Sequence, residues 1–295
     1  MKRVLAMLIV IVLAVFTAFW ILSRPQILPP EDYVNRVGDR SKGEQLFWAA
    51  GCASCHADPA AEGQDKLILS GGYRIDSPFG TFIAPNISPG PVGIAEWTTY
   101  DFANALLAGV SPDGSHIYPA LPYTTYTRMN PQDVVDLKAF IDTLPVSDVP
   151  NQPHELSFPF NVRRGLGLWK QLNLSPDWVV TDVATPQLQR GRYLVEALGH
   201  CAECHTPRNL IGGLDTSRWL QGAPNPSGKG DIPAISADKL DWSVDDIAYY
   251  LETGFTPDFD SAGGQMSKVI FGTAKLSSED RRAIAAYLKL PSPVD

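Results

Sequence analysis

The N-terminal part of the chain contains one long apolar run that follows two basic residues. Between Val4 and Leu22 the only polar side chain is Thr17. As a helix this run is about 28 Å long, close to the hydrocarbon thickness of a bilayer. Near its end stands Trp20, an aromatic residue of the kind enriched at membrane–water interfaces. The pattern predicts a transmembrane anchor in residues 1–24.

The charges around the run predict its orientation. Lys2 and Arg3 precede it, and basic residues flanking a span remain in the cytoplasm, so the rest of the chain is expected on the far side. The alternative is a cleaved signal peptide, which normally has a shorter apolar core and a small-x-small cleavage site. The stretch from Phe19 to Pro25 offers no such site, so the sequence favours a retained anchor.

Beyond the anchor, a pattern of short helices occurs twice, about 145 to 149 residues apart. Each copy opens on a helix with glycines at both ends and apolar residues between them: Gly43, Leu46, Phe47 and Gly51, then Gly191, Leu194, Val195 and Gly199. Trp97 and Trp242 each begin a W-[TS]-x-x-D stretch that predicts a helix start. Acid-capped helices at Asn130–Leu144 and Ser277–Leu290 close the copies. We expect domains at 25–145 and 187–295, joined by a Pro-rich connector at 146–186.

Composition narrows the classes of function. The 295 residues include 24 Lys and Arg against 32 Asp and Glu, a net charge of −8. Nucleic acid is therefore not expected as a partner, because phosphate binding needs a basic face. The 25 prolines and 24 glycines favour short helices with structured loops over a large sheet. The predicted fold class is mostly α.

All four cysteines lie in two copies of one motif, C-x-x-C-H. The first is Cys52, Cys55 and His56, and the second is Cys201, Cys204 and His205. Cysteines three residues apart lie on one side of a helical turn, where both sulfurs can form thioethers to one haem. The histidine that follows is then the proximal iron ligand. The motifs predict two covalently bound haem c groups in two tandem class I-type cytochrome c domains.

Two other chemistries use C-x-x-C, namely a redox disulfide and half of a zinc site. A zinc ribbon usually places its second cysteine pair ~15–20 residues after the first. Here the second pair follows in the other repeat. A zinc- or disulfide-containing scaffold is therefore the weakest interpretation.

The sixth iron ligand of the second copy is predicted to be Met266. Small cytochromes c usually complete the iron with a methionine sulfur. Met266 is the only methionine in this copy and stands before its last helix. A buried methionine is more often core filler, but position and uniqueness favour the ligand here.

The sixth ligand of the first copy stays open. The repeat places Leu121 opposite Met266, and leucine cannot bind iron. Met129 lies before the closing helix, where its counterpart Leu276 suggests an apolar staple instead. The alternatives are Met129 as the ligand, an open or weakly held iron, and His116 as the ligand.

Three further segments resemble membrane-anchored cytochrome c subunits of bacterial dehydrogenases. They are Ser77–Ser88 (SPFGTFIAPNIS), His116–Tyr123 (HIYPALPY) and Pro159–Asn161 (PFN). The closing stretch Arg281–Leu288 resembles that family's last helix. Such subunits serve quinoprotein alcohol dehydrogenases, flavin-dependent sugar dehydrogenases and molybdenum hydroxylases. This chain departs from that family in two respects. It has two haem motifs where many members have three, and it has Leu121 where many members have methionine. Members with a bulky apolar residue there often carry a methionine at the position of Met129.

The resemblance implies an electron carrier in the bacterial inner membrane, with single-pass topology and both haem domains in the periplasm. It would pass electrons from a periplasmic dehydrogenase subunit to a quinone or a terminal oxidase of the respiratory chain. The alternative is a haem enzyme that uses an open first iron for small-molecule redox chemistry, with His116, Tyr123 and Arg128 nearby. The amphipathic stretch Val162–Leu174 is expected to pack across both domains or to lie on the membrane surface.

Overall fold

The structure, a computed structural model, describes residues 1–226 and 230–291 and is mostly helical, as predicted. Its helices in chain order are α1 (Lys2–Leu22), α2 (Arg40–Ala49), α3 (Cys52–His56), α4 (Thr99–Ala103), α5 (Tyr123–Tyr126), α6 (Pro131–Ile141), α7 (Leu166–Asn173), α8 (Pro186–Tyr193), α9 (Ala202–His205), α10 (Val244–Thr253), α11 (Gly264–Thr273) and α12 (Ser278–Leu288). The few strands form two small antiparallel sheets. They are β1 (Arg74–Ser77), β2 (Gly80–Ile83) and β3 (Glu155–Leu156), in that order, and a pair of β4 (Ala223–Pro224) with β5 (Asp231–Ile232).

Each domain is built around a crossing of its first and last helices, α2 with α6 and α8 with α12. Glycine allows the close approach in both. A Cβ on Gly43 would lie 2.0 Å from the Asp136 carbonyl oxygen, and one on Gly191 would lie 2.1 Å from that of Ala283. Behind the first crossing, the rings of Phe47 and Phe140 pack edge to face at 5.3 Å. The repeated glycine in the sequence is therefore a packing residue.

The close contact of α2 with α6 can be tested by measuring stability. Replacing Gly43 by alanine should lower the free energy of unfolding by ~1–3 kcal/mol, because the methyl group must displace the α6 backbone. Gly165→Ala is the matched control, since an added Cβ there meets no atom within 4 Å. Chemical denaturation followed by circular dichroism measures both variants. Equal midpoints for the two would contradict the close crossing.

The helices that begin after the repeated tryptophans start as the sequence predicts. Thr98 and Asp101 form a capping box at the start of α4, and Ser243 and Asp246 form another at the start of α10. Past α4 the chain continues through one π-helical turn to Gly109, whose φ of +59° ends the element in the left-handed region. Short-range caps and a terminal glycine therefore determine these elements locally.

The apolar helix α1 has exposed side chains along almost all of its length, and its end is held by the connector. Ser23 is fully buried. Its carbonyl oxygen is bonded by His116 Nε2 at 2.9 Å, and its hydroxyl by Arg164 Nε at 2.9 Å. A Cβ on Gly167 would lie 2.2 Å from the Ser23 oxygen. The last turn of α1 is therefore part of the packed structure of the first domain.

The connector helix α7 packs across both domains, one of the two arrangements expected for this stretch. Lys170 is buried and donates to the carbonyl oxygens of Ala108 at 2.7 Å and Gly109 at 2.6 Å. Trp169 Nε1 donates to the Ile211 carbonyl in the second domain at 2.8 Å. This helix thereby joins the end of α1 and the two domains in one packed structure.

Candidate functional site

The two motif histidines have the same surroundings. His56 Nδ1 lies 2.9 Å from the Pro85 carbonyl oxygen, and His205 Nδ1 lies 2.7 Å from that of Pro233. A carbonyl oxygen only accepts, so each Nδ1 carries the proton and each Nε2 keeps its lone pair. Burial lowers the pKa of both imidazoles, which favours the neutral form. Both rings are therefore prepared to bind a metal through Nε2.

A glycine fixes the backbone of each motif. Gly71 N donates to the His56 carbonyl at 2.7 Å, and Gly222 N donates to that of His205 at 2.7 Å. Both glycines have left-handed φ, +76° and +82°. A Cβ on Gly71 would lie 2.5 Å from the Pro85 carbonyl carbon. The glycine thus lets the loop carrying the proline approach the histidine, and a matching pair of L-x-G stretches in the sequence marks this role.

The four cysteine side chains lie beside these histidines on α3 and at α9. Burial raises the pKa of Cys52 to about 12 and that of Cys55 to about 11. Burial likewise raises the pKa of Cys201 to about 12 and also raises that of Cys204. Reactive cysteines of redox disulfides instead have lowered pKa values. Among the residues that the structure describes, no group of three or more His, Cys, Asp or Glu side chains is arranged to hold a metal ion, so the cysteine pairs do not fit a zinc site.

The donor set fits covalent haem. Paired thiols on one helical turn meet two vinyl groups, and the adjacent imidazole has a free Nε2 for iron. Tyr123 supports the fit independently. Its hydroxyl is fully buried and makes no hydrogen bond to any described residue, and buried polar groups rarely lack a partner. A haem propionate is the kind of acceptor that would pair with it.

Both motif helices lie at one interface between the domains, which we call the interdomain seam. On one side, Thr124 Oγ1 of α5 donates to Glu203 of α9 at 2.7 Å. On the other, Ser54 Oγ of α3 donates to the Lys268 carbonyl of α11 at 3.4 Å. Each domain thus contributes the segment before its last helix to the other domain's motif helix. Packed aromatic residues add to this contact, with Trp48 and Phe271 rings 5.6 Å apart.

The seam also brings the motif residues of the two domains near each other. The Cys204 thiol contributes to the raised pKa of Cys55, after burial. A Cβ on Gly51 would lie 3.4 Å from His200 Nε2, next to the second motif. Tyr126 Oη donates to the Ala50 carbonyl at 2.7 Å, which fixes α5 over the first motif. The two haem sites therefore share one interface.

Met266 lies on the face of α11 that is turned toward its own domain. Gln265, Lys268 and Phe271 contact the first domain, at Tyr73, Ser54 and Trp48 respectively. With 3.6 residues per turn, Met266 falls on the opposite face together with Ile270. Its side chain is half-buried and packs against the core. This orientation is compatible with the predicted ligand role.

Met129 is buried, only 4% exposed, and its counterpart Leu276 is 8% exposed. Both precede the closing helix of their domain, so position alone fits a ligand and an apolar staple equally. His116 lies elsewhere. Its Nε2 lies 2.9 Å from the Ser23 oxygen, and its Nδ1 lies 3.1 Å from Lys170 Nζ. Both of its ring nitrogens are therefore engaged at the end of the anchor, which speaks against His116 as the sixth ligand.

The interdomain seam is the part of the site that sequence reasoning missed. Glu203 is a variable position of its motif, yet it accepts hydrogen bonds from Thr124 and Thr125 and pairs with Arg208 at 2.5 Å. Nothing in the motif itself indicates that Glu203 makes these contacts. The feature of the sequence that could have indicated them is the pair of adjacent threonines after the His116–Tyr123 segment.

Comparisons with known proteins agree with the geometry. A cytochrome c family model matches residues 41–145 and 188–290. A diheme cytochrome c-type protein of Cereibacter sphaeroides is 56% identical over 290 residues, 98% of both chains. The fructose dehydrogenase cytochrome subunit of Gluconobacter japonicus is 38% identical over 84% of this chain and 52% of its own length. The cytochrome c subunit of a quinone alcohol dehydrogenase from Gluconobacter oxydans is 33% identical over 84% and 54%. The chain thus spans about half the length of these dehydrogenase subunits.

Proposed function

We propose, from the premise that this chain belongs to the cytochrome c family, that it carries electrons from a periplasmic dehydrogenase toward the respiratory chain. The chain has two cytochrome c domains and two covalently bound haem c groups. When bound, each haem accepts and releases one electron at its iron. The observation that carries the proposal is the interdomain seam, because it places both motif helices at a single interface.

In this proposal, the side chains of the two motifs hold the cofactors. Cys52 and Cys55 attach the first haem and Cys201 and Cys204 the second, with His56 and His205 as proximal ligands. Pro85 and Pro233 orient the two imidazoles through their carbonyl oxygens. Such outer partners fix the ring and strengthen the ligand. Met266 would supply the sixth ligand of the second iron and Met129 that of the first.

The core of each domain next to its motif helix is apolar. Phe47, Leu69 and Leu198 are completely buried around the motif helices. A low-dielectric shell of this kind influences redox potential and restricts solvent access. The haems need no substrate-binding group of the protein to exchange electrons, so the protein acts through ligation, burial and orientation.

The donor is inferred from the relatives. Several of them are named as cytochrome subunits of fructose, alcohol or gluconate dehydrogenases. We propose a dehydrogenase subunit as the electron donor of this chain too, with a quinone or a terminal oxidase as acceptor. The anchor supports an inner-membrane location with the domains in the periplasm. A cleaved signal sequence can have the same length and apolar composition as this helix, but the packing of Ser23 favours a helix that is retained.

The attachment residues have a direct test. Intact chain from a host that matures c-type cytochromes should carry the mass of two haems. The double variant Cys52→Ala with Cys55→Ala should carry one, because the second motif stays intact, and Cys201→Ala with Cys204→Ala should also carry one. Gly165→Ala lies outside the motifs, where an added Cβ meets no atom within 4 Å, and it serves as the control that should keep both haems. Two haems on either double variant would contradict the assignment.

Measurements of electron uptake and of peroxide consumption distinguish an electron carrier from the haem-enzyme alternative. A carrier should take up two electrons per chain reversibly and return them to an oxidant without consuming added peroxide. Stoichiometric titration with a one-electron reductant measures the first property, and loss of peroxide measures the second. Catalytic peroxide consumption that is abolished with the first haem would favour the enzyme instead.

A further inference from the structure

One outward face of α7 is apolar and lies beside the end of the anchor. Leu168 and Leu172 stand four residues apart on this face, and Leu172 is 75% exposed. The adjacent face binds the anchor, since Gln171 donates to the Leu22 carbonyl. Lys170 is buried against the first domain on the opposite side. Leu172 therefore points away from the protein, with the half-buried Leu168 one turn before it, next to the place where the chain leaves α1.

The second domain extends this apolar surface. Leu210 is fully exposed, and Ile211 is 49% exposed. Their loop is fixed beside α7, because Trp169 bonds the Ile211 carbonyl at 2.8 Å and a Cβ on Gly213 would meet Asn173 at 1.7 Å. We call the exposed surface of Leu168, Leu172, Leu210 and Ile211 the apolar ledge. It combines residues of the connector and of the second domain.

The position of the ledge relative to the bilayer follows from contacts with the anchor. Arg164 donates to the Trp20 carbonyl at 2.5 Å, and its guanidinium lies 4.3 Å from the centre of the Trp20 ring. Tryptophan at the end of a span lies at the level of the lipid headgroups. Because Arg164 leads directly into α7, this helix is held at the same level. The ledge is then continuous with the membrane-embedded part of the chain.

We propose that the apolar ledge inserts into the outer surface of the bilayer and is a second membrane contact besides the anchor. Leucine and isoleucine side chains that leave water for the acyl boundary stabilise such a contact. Contributions from α7 and from the second domain fix the tilt of both haem domains over the membrane. This inference rests on the proposed function in one respect, namely that the anchor is retained in the membrane.

The experiment uses single added cysteines in the full chain. Leu172→Cys and Leu210→Cys probe the ledge, and Phe259→Cys is the matched control, since Phe259 is 88% exposed in a loop of the second domain. The native cysteines are consumed as thioethers, so the added thiol alone reacts. Each variant is placed in phosphatidylethanolamine–phosphatidylglycerol vesicles, and labelling by a charged maleimide is followed by intact mass. We expect labelling about tenfold slower at 172 and 210 than at 259, because the thiolate does not form in lipid.

Equal labelling rates at the three positions would overturn the proposal, since all three side chains are similarly exposed in the protein itself. Protection that disappears as the lipid-to-protein ratio increases would also overturn it, because a second copy of the chain would then cover the ledge. Washing the vesicles with alkaline carbonate tests the anchor separately. Release of the chain by that wash would reject the retained anchor, whereas retention with unprotected cysteines would reject only the ledge.

Discussion

Replacing Met266 by alanine should lower the reduction potential of one haem by at least ~0.1 V, within the ~0.8 V range that axial ligands and their surroundings cover. A thioether ligand favours ferrous iron, so its loss stabilises the ferric state. The other haem should keep its potential, because Met266 lies on the face of α11 turned away from the first domain. A spectroscopic redox titration resolves the two haems as separate waves.

Two controls separate ligation from packing. Ile270→Val changes the next turn of the same α11 face, and it should leave both waves in place. Met266→His restores a sixth ligand but not a thioether, so its potential should stay low while carbon monoxide binding is suppressed compared with Met266→Ala. If neither wave moves in Met266→Ala, Met266 is a core residue and not a ligand.

The local features of the fold were predictable because neighbouring residues determine them. Each Trp97 or Trp242 stretch contains its own capping box, and those boxes start α4 and α10. Gly43 and Gly191 recur in the sequence, but their role in the helix crossings was not predicted, because the clash that requires glycine is with residues of the last helix. The closing helices were predicted a few residues too long, since α6 is Pro131–Ile141 and α12 is Ser278–Leu288. Helix ends fray, and pattern alone does not locate them.

The interdomain seam and the anchor junction were not predictable in the same way. Ser54 and Lys268 are 214 residues apart in the chain, and Arg164 and Ser23 are 141 apart. No periodicity connects such positions, so the role of Glu203 and of His116 appears only in the folded chain. Conversely, each C-x-x-C-H motif occupies five consecutive positions, so the sequence alone predicts the haem-attachment residues.

The sixth ligands of the two irons were only partly predictable from the sequence. In the first domain Val110 pairs with His116, and in the second Phe255 pairs with Ser261. These bridges show that the two copies keep the same register as far as His116 and Ser261. Beyond His116 the loops of the two copies differ in length. Met129 and its counterpart Leu276 are separated by a different number of residues than His116 and Ser261 are. The repeat therefore specifies the second ligand more firmly than the first.

Met129→Leu should abolish the methionine–iron charge-transfer band of the first ferric haem and leave that of the second. Two hydrogen bonds constrain the backbone at this position. Met129 N donates to the Tyr126 carbonyl at 2.8 Å, while Asn130 N donates to the Tyr193 hydroxyl oxygen of the second domain at 3.1 Å. A sulfur supplied from such a constrained helix start should be a weaker ligand than Met266. The first haem should accordingly be the first to bind carbon monoxide or cyanide in the wild type.

Leu276→Met provides the matched control at the equivalent position of the second domain. It places a thioether before α12 without removing Met266, so the second haem should keep its band and potential. Leucine fills nearly the same volume as methionine, so Met129→Leu should leave the free energy of unfolding of the apolar core within ~1.5 kcal/mol. A lost band with an intact core therefore identifies Met129 as a ligand. If the spectrum is unchanged and the wild type already binds carbon monoxide at one haem, Met129 is only an apolar staple, and the open first iron favours the haem-enzyme alternative over the relay.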